Sequence, residues 1–176
     1  MMFTLPFPYH IRPMQMSDLD VVLAIDCLSF PTPAKEKLYV YELTENELAH
    51  YDCLTVHEQI VGYVGYWMMG DEVHISTIAT HPDRRGKGLG ELLLLHLLLS
   101  VYQHPVTMVT LEVRRSNRVA QALYRKYRFA LVGERHHYYR DTGEDALIMT
   151  RSPLDAPYLN WLESQKARLF ARLGEG

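Results

Sequence analysis

The stretch HPDRRGKGLGELLLL, residues 81–95, sets glycines at alternate positions, Gly86, Gly88 and Gly90, between a basic run and a run of leucines. The leucines imply a helix buried on most of its sides. Glycine tolerates positive φ and lets other atoms come close to the backbone. A bare turn at a helix N-terminus offers free amides and the positive end of the helix dipole, which together favour an anion, phosphate above all. Arg84, Arg85 and Lys87 add positive charge. The spacing excludes two familiar phosphate loops. A P-loop needs G-x-x-x-x-G-K followed by Ser or Thr, and here Gly86-Lys87 is followed by Gly88. The dinucleotide fingerprint G-x-G-x-x-G lacks its third glycine. What remains is R-x-x-G-x-G over residues 85–90, a pattern that also suits a plain basic turn from strand to helix.

Outward from this turn, the hydrophobic periodicity gives a succession of short elements. Ser17-Asp18 looks like a helix start, with apolar residues at helical spacing behind it, and a second helix is expected over 35–47. SFPTP, from Ser29 to Pro33, reads as a loop between them. Strands are expected over 51–57, 60–69 and 73–80, the first two joined as a hairpin. The turn is followed by a helix over 89–102 and a β-branched strand over 106–113. Ser116-Asn117 caps a helix running to Tyr127, and strands over 130–140 and 146–151 close the series around the turn 141–144. Pro153 and Pro157 mark a break, and 158–173 reads as one amphipathic helix with Leu159, Trp161, Leu162 and Phe170 on its apolar side. The order α, α, β, β, β, α, β, α, β, β is that of a mixed α/β domain with a helical appendix. That appendix either packs back on the domain or offers its apolar side to a partner.

Composition narrows the function. The chain has 176 residues, 48% of them apolar and 22% charged, which suits one globular domain with a sizeable core. A net charge of −3 speaks against general binding to nucleic acid. The start, MMFTLPFPYH, has no basic segment before its apolar residues and is broken by prolines, unlike a signal peptide. No apolar run approaches the roughly 20 residues of a membrane span. Cys27 and Cys53 read as separate thiols in a reducing compartment, so a cytoplasmic protein is expected. The nine histidines include the pair His136-His137, but neighbouring strand residues point to opposite faces, and no zinc-ligand spacing is present; no metal is expected.

Several separated segments agree in order with one known family. STIATHP at 76–82 precedes the glycine turn, LEVRRSNRVAQALYRKYRF fills 111–129, and IRPMQMSDLDVVLAID, SFPTP and EDALIM lie where that family has similar runs. From about Ile11 to Thr150 the chain resembles the GNAT superfamily of acetyltransferases, in particular the ribosomal-protein-alanine N-acetyltransferases. The resemblance implies an α/β fold with a mixed, mostly antiparallel central sheet flanked by helices. The GNAT domain would span 9–151, with residues 152–176 an added C-terminal helical extension.

The resemblance also implies a site. Acetyl-CoA would be the co-substrate, its pantetheine arm on the backbone of Ile78, Ala79 and Thr80, and its pyrophosphate on Arg85, Gly86, Lys87, Gly88, Leu89 and Gly90. Asn117 would contact CoA. Glu112, in L-E-V-R, would be the general base, and Tyr124 the general acid that protonates the leaving thiolate. Asn117, Gln121 and Tyr124 share one helix face by spacing. On their own chemistry, Glu112 could equally pair with Arg114 and Tyr124 could be a packed core residue. Phe30, Tyr138 and Tyr139 would line the acceptor groove; apart from the resemblance, His74 is a minor candidate for an auxiliary base near the peptide end. Three positions depart from the family pattern: Thr80 stands for valine, Ala34 for a tryptophan and Arg128 for a glycine. If residue 128 needs positive φ, arginine there is strained by about 1 kcal/mol or more.

The implied function is transfer of acetyl to the N-terminal amine of a protein, such as a ribosomal protein, by direct attack in a ternary complex. Cys27 and Cys53 both precede the glycine turn and the 111–129 motif, so no cysteine sits beside these to carry an acyl group. A lysine side chain or small amine as acceptor, or a non-catalytic CoA-binding module, are the competing expectations. No nucleic acid or membrane partner is expected.

Overall fold

The computed structural model describes residues 4–174. Its strands are β1 (Tyr9–Pro13), β2 (Ala49–Val56), β3 (Gln59–Met69), β4 (Glu72–Thr80), β5 (Met108–Arg114), β6 (Ala130–Tyr139) and β7 (Glu144–Arg151). Its helices are α1 (Leu19–Ser29), α2 (Glu36–Thr44), α3 (Leu89–Val101), α4 (Arg118–Lys126) and α5 (Ala156–Gly174). The strands form one sheet in the order β1-β2-β3-β4-β5-β7-β6. Every neighbouring pair is antiparallel except β4–β5, which is parallel with α3 as its crossover. This is the mixed, mostly antiparallel sheet that the sequence implies. β1 escapes the sequence reading: YHIRP has five residues, lies at the sheet edge and ends in a proline that an edge strand tolerates.

Two apolar clusters cover the two faces. α1 and α2 pack on one face through Leu19, Val22, Ile25 and Tyr39 against Cys53 and Tyr63. On the other, α3, α4 and α5 share a larger cluster with the inward residues of β3, β4, β5 and β7. Leu92, Leu93, Leu94, Leu95, Leu97 and Leu98 of α3 are all fully buried. A helix apolar all round needs cover on its outer side, and α5 provides it.

α5 runs antiparallel to α3. Near its start, the Tyr102 hydroxyl beyond the end of α3 donates to Asp155 O at 3.3 Å; near its end, Arg172 reaches Glu91 in the first turn of α3 at 2.8 Å. Tyr158, Leu162, Leu169 and Leu173 are buried on this interface. The appendix therefore packs back on the domain. Trp161, a residue expected on its apolar side, stacks on Tyr158 and lies under the Arg128 guanidinium, 4.2 Å from its centroid. Arg128 has φ 63°, so the departure from glycine does sit in the left-handed region.

The parallel pairing of β4 with β5 stops at Ile75–Leu111. Beyond it β4 stays paired with β3 on its other side through Thr80. A bulge opposite Gly65 and Tyr66 leaves Ser76 without a partner in the β3 register. A bulge bends its strand, and here it falls where the two parallel strands separate. The cleft so formed has residues 76–80 on one side and the end of β5 on the other.

Candidate active site

The glycine turn lies at the open end of this cleft. After β4, Pro82–Arg84 form one 3-10 turn, and His81 Nδ1 accepts from the Asp83 amide at 3.2 Å. Arg85 braces the loop: its amide donates to Pro82 O at 3.2 Å, Nε to Thr80 O at 3.3 Å and Nη2 to Ser29 Oγ at 3.2 Å. The resemblance implies that this residue helps to hold the pyrophosphate, and these bonds fix where its guanidinium lies at the start of the turn. Gly86 and Gly88 have φ 76° and 79°, which side chains rarely adopt. Gly88 is the N-cap of α3 and offers no side chain, so the first intrahelical bond is Leu92 N to Gly88 O at 2.9 Å. Among the described residues, the amides of 86–91 donate to no protein acceptor. A Cβ at Gly86 or Gly90 would meet nothing within 4 Å. Unpaired amides around open space at a helix N-terminus fit a phosphate.

At the far end of the cleft stands Glu112. Its Oε2 meets His74 Nε2 on β4, and its Oε1 accepts from Arg135 Nε on β6 at 3.1 Å. The His74 hydrogen bond, against the opposing effect of burial, holds the Glu112 carboxyl below its usual range, and Arg135 adds to it. A carboxylate can only accept, so His74 Nε2 carries the hydrogen; Nδ1 is buried without a partner. The His74 ring leans on Trp67, whose indole donates to Glu42 at 2.8 Å.

α4 supplies the other groups. Asn117 is its N-cap, with Oδ1 accepting from the Ala120 amide at 3.1 Å. Gln121 is fully buried and donates to Arg114 O and Arg115 O at 3.0 and 2.9 Å, fixing α4 to the end of β5. Tyr124 is buried, its hydroxyl has no hydrogen bond among the described residues, and burial pushes its pKa well up. Tyr139 is electrostatically coupled to both Tyr124 and Glu112, so the three groups share one neighbourhood. Burial pushes the Tyr139 phenol up to about 12, against the pull of Arg114, whose guanidinium lies 3.9 Å above the ring.

Two walls flank this neighbourhood. Tyr138 stacks edge-on against Tyr139 with centroids 5.1 Å apart and is half exposed. Arg114 forks onto Asp141 at 2.7 and 3.2 Å and onto Thr142 Oγ1 at 3.1 Å, holding the β6–β7 turn. Asp141 in turn accepts from Thr32 Oγ1 at 2.8 Å, which ties that turn to the α1–α2 loop. Phe30 starts this loop and packs on the α1–α2 cluster. The loop is anchored from below by buried Asp26, which accepts from the Ala34 amide at 2.6 Å, from Tyr39 at 2.8 Å and from Tyr63. His74 as the partner of Glu112, Arg135 as its second partner and the Thr32–Asp141 tie are not visible in the motifs.

Neither cysteine is placed for acyl transfer. Cys27 is exposed on α1, and Cys53 is fully buried on β2, its thiol pushed up to about 12 by burial. Glu134, His136 and Asp145 form one group of potential metal ligands among the described residues. Arg115 already bridges its carboxylates, at 2.5 Å to Glu134 and 3.4 Å to Asp145. No helix among the described residues is long and apolar enough to cross a membrane.

A model of the acetyltransferase (GNAT) family matches residues 19–129, and these contain the glycine turn, Glu112 and Tyr124. The chain belongs to the GNAT acetyltransferase family. This acetyltransferase is 39% identical over 139 residues to a Bacillus subtilis protein provisionally named a ribosomal protein bS18-alanine N-acetyltransferase, covering 79% of the chain and 92% of the relative. It is 32% identical over 141 residues to the Escherichia coli ribosomal protein bS18-alanine N-acetyltransferase, covering 79% and 94%. The solved structure of an Escherichia coli ribosomal-protein-S18-alanine N-acetyltransferase superposes with a TM-score of 0.76 at 30% identity over 84% of this chain and 94% of that one. The acetyltransferase is thus an acetyl-CoA-dependent enzyme closely related to that branch.

Proposed function

We propose that this acetyltransferase modifies the N-terminal α-amine of a protein, by direct attack on the acetyl donor. The observation that carries the reading is Glu112, a carboxylate kept ionised by His74 and Arg135 where β4 and β5 part, linked through Tyr139 to the unpartnered phenol of Tyr124. Likeness to enzymes named for alanine N-acetylation of bS18 supports a protein acceptor, with a ribosomal protein as the first candidate.

Acetyl-CoA supplies the activated thioester. The chain's residues do the rest. Phe30, Tyr138 and Tyr139 bound the path of the acceptor. Glu112 attracts the ammonium and takes up its proton, directly or through one water. With a lowered pKa it is a weak base, which suits an α-amine of pKa about 7.7–8.0 far better than a lysine near 10.4. The nitrogen bonds to the acetyl carbon, and the carbon–sulfur bond breaks. The sulfur leaves with the electron pair, as a thiolate, and takes up the second proton that the nitrogen sheds as it becomes an amide. Tyr124 faces that charge as a hydrogen-bond donor. Its raised pKa keeps it protonated, so its main contribution is stabilisation of a thiolate of ordinary pKa near 8.5. Ile78, Ala79 and Thr80 offer backbone to the pantetheine arm, residues 85–90 hold the pyrophosphate, and Asn117, with its Oδ1 committed to the cap, has its amide nitrogen for CoA.

Thiol release with short peptides beginning Ala, Ser, Met or Gly, each beside its N-terminally blocked twin, tests this. Turnover that disappears on blocking supports α-amine transfer and ranks the first residue. Turnover that survives on blocked, lysine-containing peptides moves the acceptor to the side chain and removes the reading.

A further inference from the structure

We propose that α5 completes the phosphate site for acetyl-CoA, with Arg172 as an anion ligand beside the glycine turn. α5 lies beyond the residues 19–129 that the family model matches, so nothing in the family pattern assigns it a part in donor binding. Its last turns nevertheless end on that turn. A Cβ built on Gly88 would lie 3.4 Å from Arg172 Nη2 and 3.2 Å from Leu169 Cδ1. The guanidinium therefore rests against the N-cap of α3, next to the unpaired amides of 86–91.

The side chain is held and still has capacity. Nη2 donates to Glu91 Oε2 at 2.8 Å, and among the described residues its other N–H groups meet no acceptor. Arginine carries five donors in a rigid fork, enough to keep Glu91 and take a phosphate oxygen as well. It is 56% exposed, so a soluble ligand can reach it. The backbone beneath it is anchored, because Leu169 and Leu173 are buried in the main core. Charge favours an anion too. Lys126 Nζ pairs with Glu91 Oε1 at 2.6 Å, so two cations share one carboxylate and the cluster keeps a positive balance. CoA carries a pyrophosphate and a 3′-phosphate, both of which an arginine fork suits.

The inference rests on acetyl-CoA as donor, and the test separates the two. Calorimetric titration of CoA and of 3′-dephospho-CoA is compared for the full chain and for Arg172→Ala and Arg172→Lys, alongside thermal melts without ligand. Arg172→Ala is expected to weaken CoA binding about tenfold, equal to about 1.4 kcal/mol, with Arg172→Lys restoring part of it. A loss seen with CoA and absent with 3′-dephospho-CoA places the contact on the 3′-phosphate; an equal loss with both places it on the pyrophosphate. Binding by Arg172→Ala within twofold of the unmodified chain overturns the proposal. So does an equal loss in both variants that tracks an equal fall in melting temperature, which marks a purely structural role. An unmodified chain that binds neither nucleotide would remove the donor itself, a failure read before any variant is compared.

Discussion

Glu112 is held by two neighbours that both favour its charged form, so in the proposed reaction it would act less as a strong base than as a fixed negative charge awaiting a weakly protonated amine. Replacing Glu112 by Gln keeps the shape and one acceptor oxygen but removes the charge. We expect kcat to fall about 100-fold, the lower range for loss of general acid–base help, with CoA affinity intact by titration. A fall of tenfold or less at saturating substrates contradicts the role. Sequence reading singles out Glu112 and Tyr124 because their family motif is local. It misses the His74–Glu112 contact, because that depends on the parallel register of β4 against β5, across 38 positions. Arg128 shows the same limit from the other side: its strain was legible, its partner was not. Arg128→Gly should leave the melting temperature near its original value, since relief of about 1 kcal/mol of backbone strain offsets loss of a cation–π contact of similar size. Arg128→Ala keeps the strain and loses the contact, and should melt below both.

At the level of elements, the junction of α3, α4 and α5 is one carboxylate. Glu91 accepts from Lys126, Tyr127 and Arg172 at 2.6, 2.8 and 2.8 Å. Burial alone would raise its pKa, and these three partners outweigh it, so the folded value lies below the ordinary one. A lowered folded pKa stabilises above the unfolded pKa of about 4.3, and that stability is lost as pH falls through the folded value. Solvent screening trims the benefit, because Lys126 and Arg172 are about half exposed. Glu91→Gln should therefore cost about 1 kcal/mol at pH 7 and progressively less below pH 4, read from thermal melts of both proteins across pH. A cost independent of pH would assign Glu91 a packing role alone. Element boundaries follow the sequence closely where signals are local. The helix expected over 89–102 ends at Val101, and Asn117 caps α4 as its spacing suggests. β1 is lost because its five residues carry neither a clear alternation nor a turn signal before Pro13.

Over the whole molecule, the apolar appendix and the domain share one core. Leu162→Ala should cost about 3 kcal/mol, within the usual range for a buried leucine, and lower the melting temperature of a chain this size by roughly 6–12 °C. A change under 2 °C would mean that α5 is a detachable segment. Composition could suggest that the tail packs back but not where, since the apolar side of a helix names no neighbour; the structure sets it on α3, with Arg172 and Glu91 81 positions apart. That separation has a consequence for how the protein is made. A chain emerges from the ribosome N-terminus first, at about 5–20 residues per second. The leucines of α3 are therefore synthesised, and their outer side left wet, for roughly several seconds before the helix that covers them exists. During that interval the uncovered leucines are a surface that a chaperone can hold, and a premature stop between Val101 and Ala156 would release a chain that lacks their cover.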